Sequence, residues 1–130
     1  MTIRVLVADD QAMIRGALAG LLDLESDIEV VAQAADGAQA LEELARLVSA
    51  DAPTRASAPI DVAIVDIEMP RMDGITATQA IRSRFPGVRV LIVSTFGRPG
   101  YLQRALDAGA TGFMVKDAPV EALADGVRTV

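Results

Sequence analysis

The sequence predicts an α/β domain in which a parallel sheet carries helices on both of its faces. Short runs rich in Val, Ile and Leu alternate about five times with stretches whose apolar residues recur at helical spacing. The segments between successive runs leave no room for hairpins, so each strand returns by a crossover, and such crossovers are right-handed. The runs also end in Asp, Ser or Lys. In open α/β sheets, ligands sit beyond the carboxyl ends of the strands, which is where those side chains would be.

Taken in order, Ile3 to Ala8 (IRVLVA) is the first strand and ends in Asp9-Asp10. Met13, Ile14, Ala17, Leu18, Leu21 and Leu22 follow as an apolar stripe along one helix face. Ile28 to Ala34 (IEVVAQA) reads as a strand from its valines and its length. Asp36-Gly37 then turns the chain into a helix carrying Ala40, Leu41, Leu44, Leu47 and Val48. Ala50 to Pro59 (ADAPTRASAP) has no periodicity and two prolines. It exceeds the roughly 2–6 residues usual for such a connection and reads as a surface insertion, at the end of the sheet opposite Asp66.

Ile60 to Val65 (IDVAIV) is the central strand, apolar enough to be buried on both faces, and Asp66 follows it. Pro70 and Gly74 punctuate the turn-rich MPRMDG before a helix from Ile75 to Phe85, which Pro86-Gly87 ends. Val88 to Val93 is a strand closing on Ser94-Thr95. Pro99 suits the first turn of a helix running to about Ala108, with Gly109 as its cap. Gly112 to Val115 is a short strand ending at Lys116. Asp117 can cap a last helix that has Pro119 in its first turn and Val120, Leu123, Ala124 and Val127 on its apolar face. Residues 1–130 read as one domain without internal repeats.

Composition narrows the chemistry. A chain of 130 residues, 52% hydrophobic and 23% charged, is a globular domain with one core. With 3% aromatic residues that core is aliphatic, which argues against a flavin site or a base-stacking platform. A net charge of −6 makes the chain a poor binder of nucleic acid by itself. The absence of Cys and His excludes Ser-His-Asp and Cys-His catalysis, zinc sites built on those ligands, and a histidine phosphocarrier. The N-terminus meets two carboxylates after a short apolar run, so it is no signal peptide, and no run is long enough to span a membrane. A soluble cytoplasmic protein is expected.

Read together, the strand ends form a constellation of Asp9, Asp10, Asp66, Ser94 and Lys116 on one rim. Three neighbouring carboxylates repel unless a cation joins them, and an all-oxygen set suits Mg²⁺. A hydroxyl and an ammonium opposite would hold phosphoryl oxygens, so the set fits phosphoryl transfer to a carboxylate. Each residue has a plainer reading. Asp9 and Asp10 could cap the first helix, Asp66 and Ser94 could be turn residues, and Lys116 a solvated strand end. Phe113 could be ordinary core, while Pro70 and Gly74 shape a loop.

The ordered set DD, VDIEMPRMDG, VLIVSTF and GATGFMVK resembles the bacterial two-component response-regulator receiver domain over essentially the whole chain. STFGRPGYLQRALDAGATGFMVKDAPVEALADGVR further resembles the NarL/FixJ (LuxR-type) group and within it DesR-like regulators. The resemblance implies a doubly wound, flavodoxin-like fold of five parallel strands in the order 2-1-3-4-5. It implies that Asp66 is the phosphoacceptor and that Mg²⁺ is held by Asp66, by Asp10 directly, by Asp9 mainly through water, and by the backbone carbonyl of Glu68. Ser94 and Lys116 would bind the phosphoryl group, and Ser94 is preferred over Thr95 by its spacing from Lys116. Phe113 stands where the family has its switching aromatic.

A sensor histidine kinase is the implied donor. A homodimer on phosphorylation is the implied output, and DNA is reached only through a LuxR-type helix-turn-helix absent from this chain. The domain would be no enzyme, but a phosphoacceptor that promotes its own phosphorylation and dephosphorylation. Small residues on the first helix (Ala12, Gly16, Ala19, Gly20) and last helix (Ala122, Gly126) are candidates for close packing in a dimer. Two departures stand out: Asp117 rather than Pro follows Lys116, and the switch aromatic is Phe rather than Tyr. The resemblance also implies that Glu68 bears on the dephosphorylation rate. The rival readings are a haloacid-dehalogenase-type phosphatase, of whose DxD pattern Asp66-Ile67-Glu68 is a loose echo, and a receiver-fold module that is never phosphorylated.

Overall fold

The computed structural model describes residues 2–50, 60–94, 100–116 and 120–130, without the side chains of 48–50 and 120. Its elements run β1 (Ile3–Ala8), α1 (Ala12–Asp23), β2 (Ile28–Ala34), α2 (Gly37–Ala50), β3 (Val62–Asp66), α3 (Gly74–Arg84), β4 (Arg89–Ser94), α4 (Tyr101–Asp107), β5 (Gly112–Val115) and α5 (Val120–Thr129). The five strands pair in parallel in the order β2-β1-β3-β4-β5. That is the expected doubly wound sheet.

The alternation of side chains along each strand divides the core in two. Leu6, Ala63, Val65, Val90 and Ile92 point to one face, where Ala40, Leu41 and Leu44 of α2, Ile75 and Ile81 of α3, and Ala105 of α4 cover them. Val5, Val7, Val62, Ile64, Leu91 and Val93 point to the other, under Leu22 of α1 and Leu123, Ala124 and Val127 of α5. All of β3 is buried, as a central parallel strand must be. The ladder of β3 starts at Val62 and includes Asp66, where the apolar run places the strand over Ile60 to Val65. Asp61 is already tied in, donating its N–H to the Arg4 carbonyl (2.8 Å) and accepting the Arg4 N–H on its side chain (2.9 Å).

Two expectations for the helices are corrected. On α1, Met13 is 88% exposed, Leu21 is 38% exposed and Ala17 is exposed, whereas Ala19 and Leu22 face the sheet. The apolar arc of the helix is broader than its contact with the core: Leu18 and Leu22 pack there, while Met13, Ala17 and Leu21 lie past its edge. Periodicity gives the arc but not how much of it is covered. Ala19 is therefore core rather than a surface packing residue. Gly126 likewise faces inward, since a Cβ there would lie 2.7 Å from the Met114 sulfur. At the end of α4, Gly109 has φ 104 and its N–H donates to the Leu106 carbonyl, as a glycine cap does. The predicted insertion at 51–59, together with Thr95, Pro99, Asp117 and Pro119, lies outside the described residues.

Candidate functional site

β1 and β3 are neighbours, so the residues leaving their carboxyl ends meet. Asp9, Asp10 and Asp66 each place a carboxylate oxygen so that all three lie within 4.8 Å of one another. Asp9 is 1% exposed and Asp66 is 7% exposed, while Asp10 faces outward. Lys116, just past β5, reaches across the end of β4 into this group. Its Nζ lies 2.6 Å from Asp9 Oδ2 and 3.2 Å from Asp66 Oδ2. A backbone hydrogen bond from Lys116 N–H to the Ser94 carbonyl (2.7 Å) fixes where that side chain starts.

Each carboxylate is held on one oxygen. Asp9 Oδ1 accepts the Gln11 N–H (2.9 Å), a turn ahead of α1 rather than a cap, since Gln11 itself holds the cap position, and Asp66 Oδ1 accepts the Ile67 N–H (2.9 Å). Oδ2 of Asp9 is buried without an aligned hydrogen-bond donor; the Lys116 ammonium beside it makes an ion pair off the hydrogen-bond angle. A buried anionic oxygen with only that contact suits a further cation. All-oxygen donors clustered this closely match the chemistry of Mg²⁺ rather than that of a softer metal.

The titration behaviour follows from the packing. Burial raises the Asp66 carboxyl above its usual range, and Asp9 adds to the rise while Lys116 opposes it. For Lys116, burial works against the charged form, but the contact with Asp9 and the charges of Asp66 and Asp9 outweigh it, so its pKa is raised. The pocket therefore holds one ammonium firmly charged between Asp9 and Asp66.

Ser94 is buried at the end of β4, whose Val93 pairs with Asp66 across the ladder. Phe113 lies in β5 opposite Ile92 and packs, half-buried, on the α2–α3–α4 side of the core. Glu68 is exposed, and its side chain is not among the three clustered carboxylates. With Asp10 and Met69 it lines a cleft of about 520 Å³ that Tyr101 and Arg104 of α4 close on the far side.

The loop between β3 and α3 carries contacts that sequence reasoning did not anticipate. Gly74 N–H donates to the Ile67 carbonyl (2.8 Å), and a Cβ at Gly74 would sit 2.0 Å from the Asp66 carbonyl oxygen. Asp73 caps α3 through the Thr76 N–H (2.8 Å), an Asp at helix start that an N-cap search could have found. Asp36 caps α2 by accepting the Gln39 N–H (2.8 Å) and pairs with Arg71. The Gln39 N–H first, and the Arg71 guanidinium with it, hold the Asp36 carboxyl below its usual range despite burial. Nothing in the linear sequence joins residues 36 and 71.

The family model described as "Response regulator receiver domain" matches residues 5–128. The chain belongs to the response-regulator receiver family. Its relatives place this receiver domain more narrowly. It is 41% identical over 128 residues to the transcriptional regulatory protein DesR of Bacillus subtilis, covering 98% of this chain and 58% of that protein. The receiver domain thus spans a little over half the length of that regulator. The solved receiver domain of the putative response regulator NarL from Mycobacterium tuberculosis superposes with a TM-score of 0.79 at 36% identity, covering 99% of this chain and 98% of the other. A CheY from Borrelia burgdorferi, solved in a CheX-CheY-BeF3-Mg²⁺ complex, gives 0.83 at 27% identity over 98% of this chain and 87% of its own. The receiver domain is a DesR-like member of the NarL/FixJ group, and the phosphatase reading is set aside.

Proposed function

We propose that this receiver domain takes a phosphoryl group on Asp66 from the phosphohistidine of a sensor kinase, using Mg²⁺, and passes the change to an attached DNA-binding domain. The observation that carries the reading is the Lys116 ammonium bridging Asp9 and Asp66 within a triad completed by Asp10. Asp66, Asp10, Asp9 through water and the Glu68 carbonyl would hold the ion. Mg²⁺, when bound, neutralises the clustered acids and the phosphoryl oxygens. The Mg²⁺ and BeF3 named with the B. burgdorferi CheY support the same pairing.

In the transfer, the P–N bond of the donor breaks, a P–O bond forms to an Asp66 carboxylate oxygen, and the electron pair of the broken bond returns to the imidazole. Positioning and charge neutralisation provide the rate, because the chain needs only to hold its carboxylate in line. Lys116 then exchanges its Asp66 contact for a phosphoryl oxygen, and the Ser94 hydroxyl binds another. Phe113 moves with them, shifting the population between two packings of the α4–β5–α5 face. The same residues promote hydrolysis of the acyl phosphate by water, with Glu68 at the cleft mouth setting its rate.

Dimerisation is the output. The uncovered stripe of α1, with Met13, Ala17, Leu21 and Leu24 all exposed, supplies apolar area for it, alongside Gly16 and Gly20. Among the described residues no helix is long and apolar enough to cross a membrane, which fits work in the cytoplasm. Incubation with acetyl phosphate and Mg²⁺, followed by intact-mass measurement, is expected to add one phosphoryl group to the native chain and none to Asp66→Asn. A label that persists in Asp66→Asn refutes the assignment.

A further inference from the structure

The loop leaving β3 is anchored at a point that none of the site chemistry above uses. Arg71 has φ 64, the left-handed region that favours glycine, and is the only non-glycine residue there among the described residues. Glycine would adopt that conformation without strain, and the arginine bears its cost while adding side-chain contacts that glycine lacks. Both Nε (2.8 Å) and Nη2 of Arg71 donate to one oxygen, Oδ2 of Asp36. Asp36 is 1% exposed, and its other oxygen is occupied by the Gln39 N–H at the start of α2. Beside this pair the Gly37 N–H donates to the Met72 carbonyl (3.0 Å), and a Cβ at Gly37 would come within 2.7 Å of that oxygen.

The loop from Asp66 to Gly74 is thus closed at its base by Gly74 on Ile67, while its tip is held from outside by the β2–α2 turn. Glu68 lies between the two anchors. We propose that Arg71 is a positioning residue for the metal site: clamped on Asp36, it keeps the main chain at Glu68 where its carbonyl can join the acid cluster. The inference rests on the Mg²⁺ reading under Proposed function. A carbonyl that is already in place loses no ordering entropy when it binds, so the clamp acts through pre-organisation.

Mg²⁺ binding measured by titration calorimetry on the unphosphorylated chain tests this without any activity readout. Arg71→Gly, which suits φ 64 and so keeps the fold, is expected to weaken Mg²⁺ binding about threefold, a modest coupling for one connected network. Asp36→Asn retains an oxygen for the α2 cap and is expected to weaken it by the same factor, with the double variant no weaker than either single. Arg71→Lys, a point charge without the fork, is expected to restore only part of the affinity. Unchanged Mg²⁺ affinity in Arg71→Gly, even with a lowered melting temperature, overturns the clamp, as do two losses that multiply in the double variant. A native chain that binds no Mg²⁺ overturns the functional reading itself and the clamp with it.

Discussion

Replacing Gly74 with alanine tests the closest approach in the site, because two effects of opposite sign compete there. Gly74 opens α3 and its φ is not positive, so on conformational grounds alone alanine should stabilise the helix by about 1 kcal/mol. Against this, the added Cβ would lie 2.0 Å from the Asp66 carbonyl oxygen and 2.8 Å from its carbon, where ordinary contact begins at 3.4 Å. The obstacle is backbone on both sides, so no side-chain rotation relieves it, and the two segments must part by about 1.4 Å. That movement breaks the Gly74 N–H to Ile67 carbonyl bond, at about 1 kcal/mol, on top of about 3 kcal/mol for overpacking.

The net expectation is a loss of about 3 kcal/mol, or about 10 °C in Tm for a domain of this size. Urea unfolding and calorimetry on Gly74→Ala measure it, with Gly20→Ala as the internal control. Gly20 lies exposed in α1 with nothing within 4 Å of its added Cβ, so the same substitution should raise stability by about 0.5–1 kcal/mol there. A Gly74→Ala protein as stable as the native chain would refute the packing of α3 against the phosphoacceptor strand.

Two further outcomes follow from the charges. Asp66 has a folded pKa above its usual 3.8, so its ionised form penalises the folded state, fully so once pH exceeds the folded value. Asp66→Asn should therefore be more stable than the native chain at neutral pH in metal-free buffer, with the advantage shrinking as pH falls and gone below about 3.8; a constant difference across pH would contradict this. Lys116→Met leaves Asp9 and Asp66 without their shared cation and should cost about 3 kcal/mol at neutral pH, as removal of one partner from a buried pair does. In acid, protonation of the carboxylates should return most of that loss, which paired melting curves at the two pH values would reveal or refute.

Much of the fold was legible because its signals are local. β1, β2 and β5 begin and end at the residues expected from their apolar runs, whereas β3, the strand buried throughout, starts at Val62 rather than Ile60, because an unbroken apolar run carries no internal mark of where the ladder begins. On α1, periodicity marks the whole apolar arc and does not say how much of it the sheet will cover. Only the sheet chooses Ala19 and Leu22 over Met13 and Leu21. In the site, Asp9, Asp10, Asp66 and Lys116 were legible because each stands at or just past the carboxyl end of a strand, and parallel order brings those ends together. The clamp of Arg71 on Asp36 and the inward turn of Gly126 were not. They join or bury residues by distances that no spacing in the chain encodes.

By itself, then, the order of residues determined the alternation of strand and helix and the types of side chain available for chemistry, because backbone propensity and solvent partition act over a few neighbours at a time. The tertiary structure alone decided which face of α1 the core covers, which oxygen of Asp9 lacks an aligned donor, and how closely Gly74 approaches Asp66. These depend on desolvation and excluded volume between segments far apart in the chain, and such quantities exist only once the segments are packed.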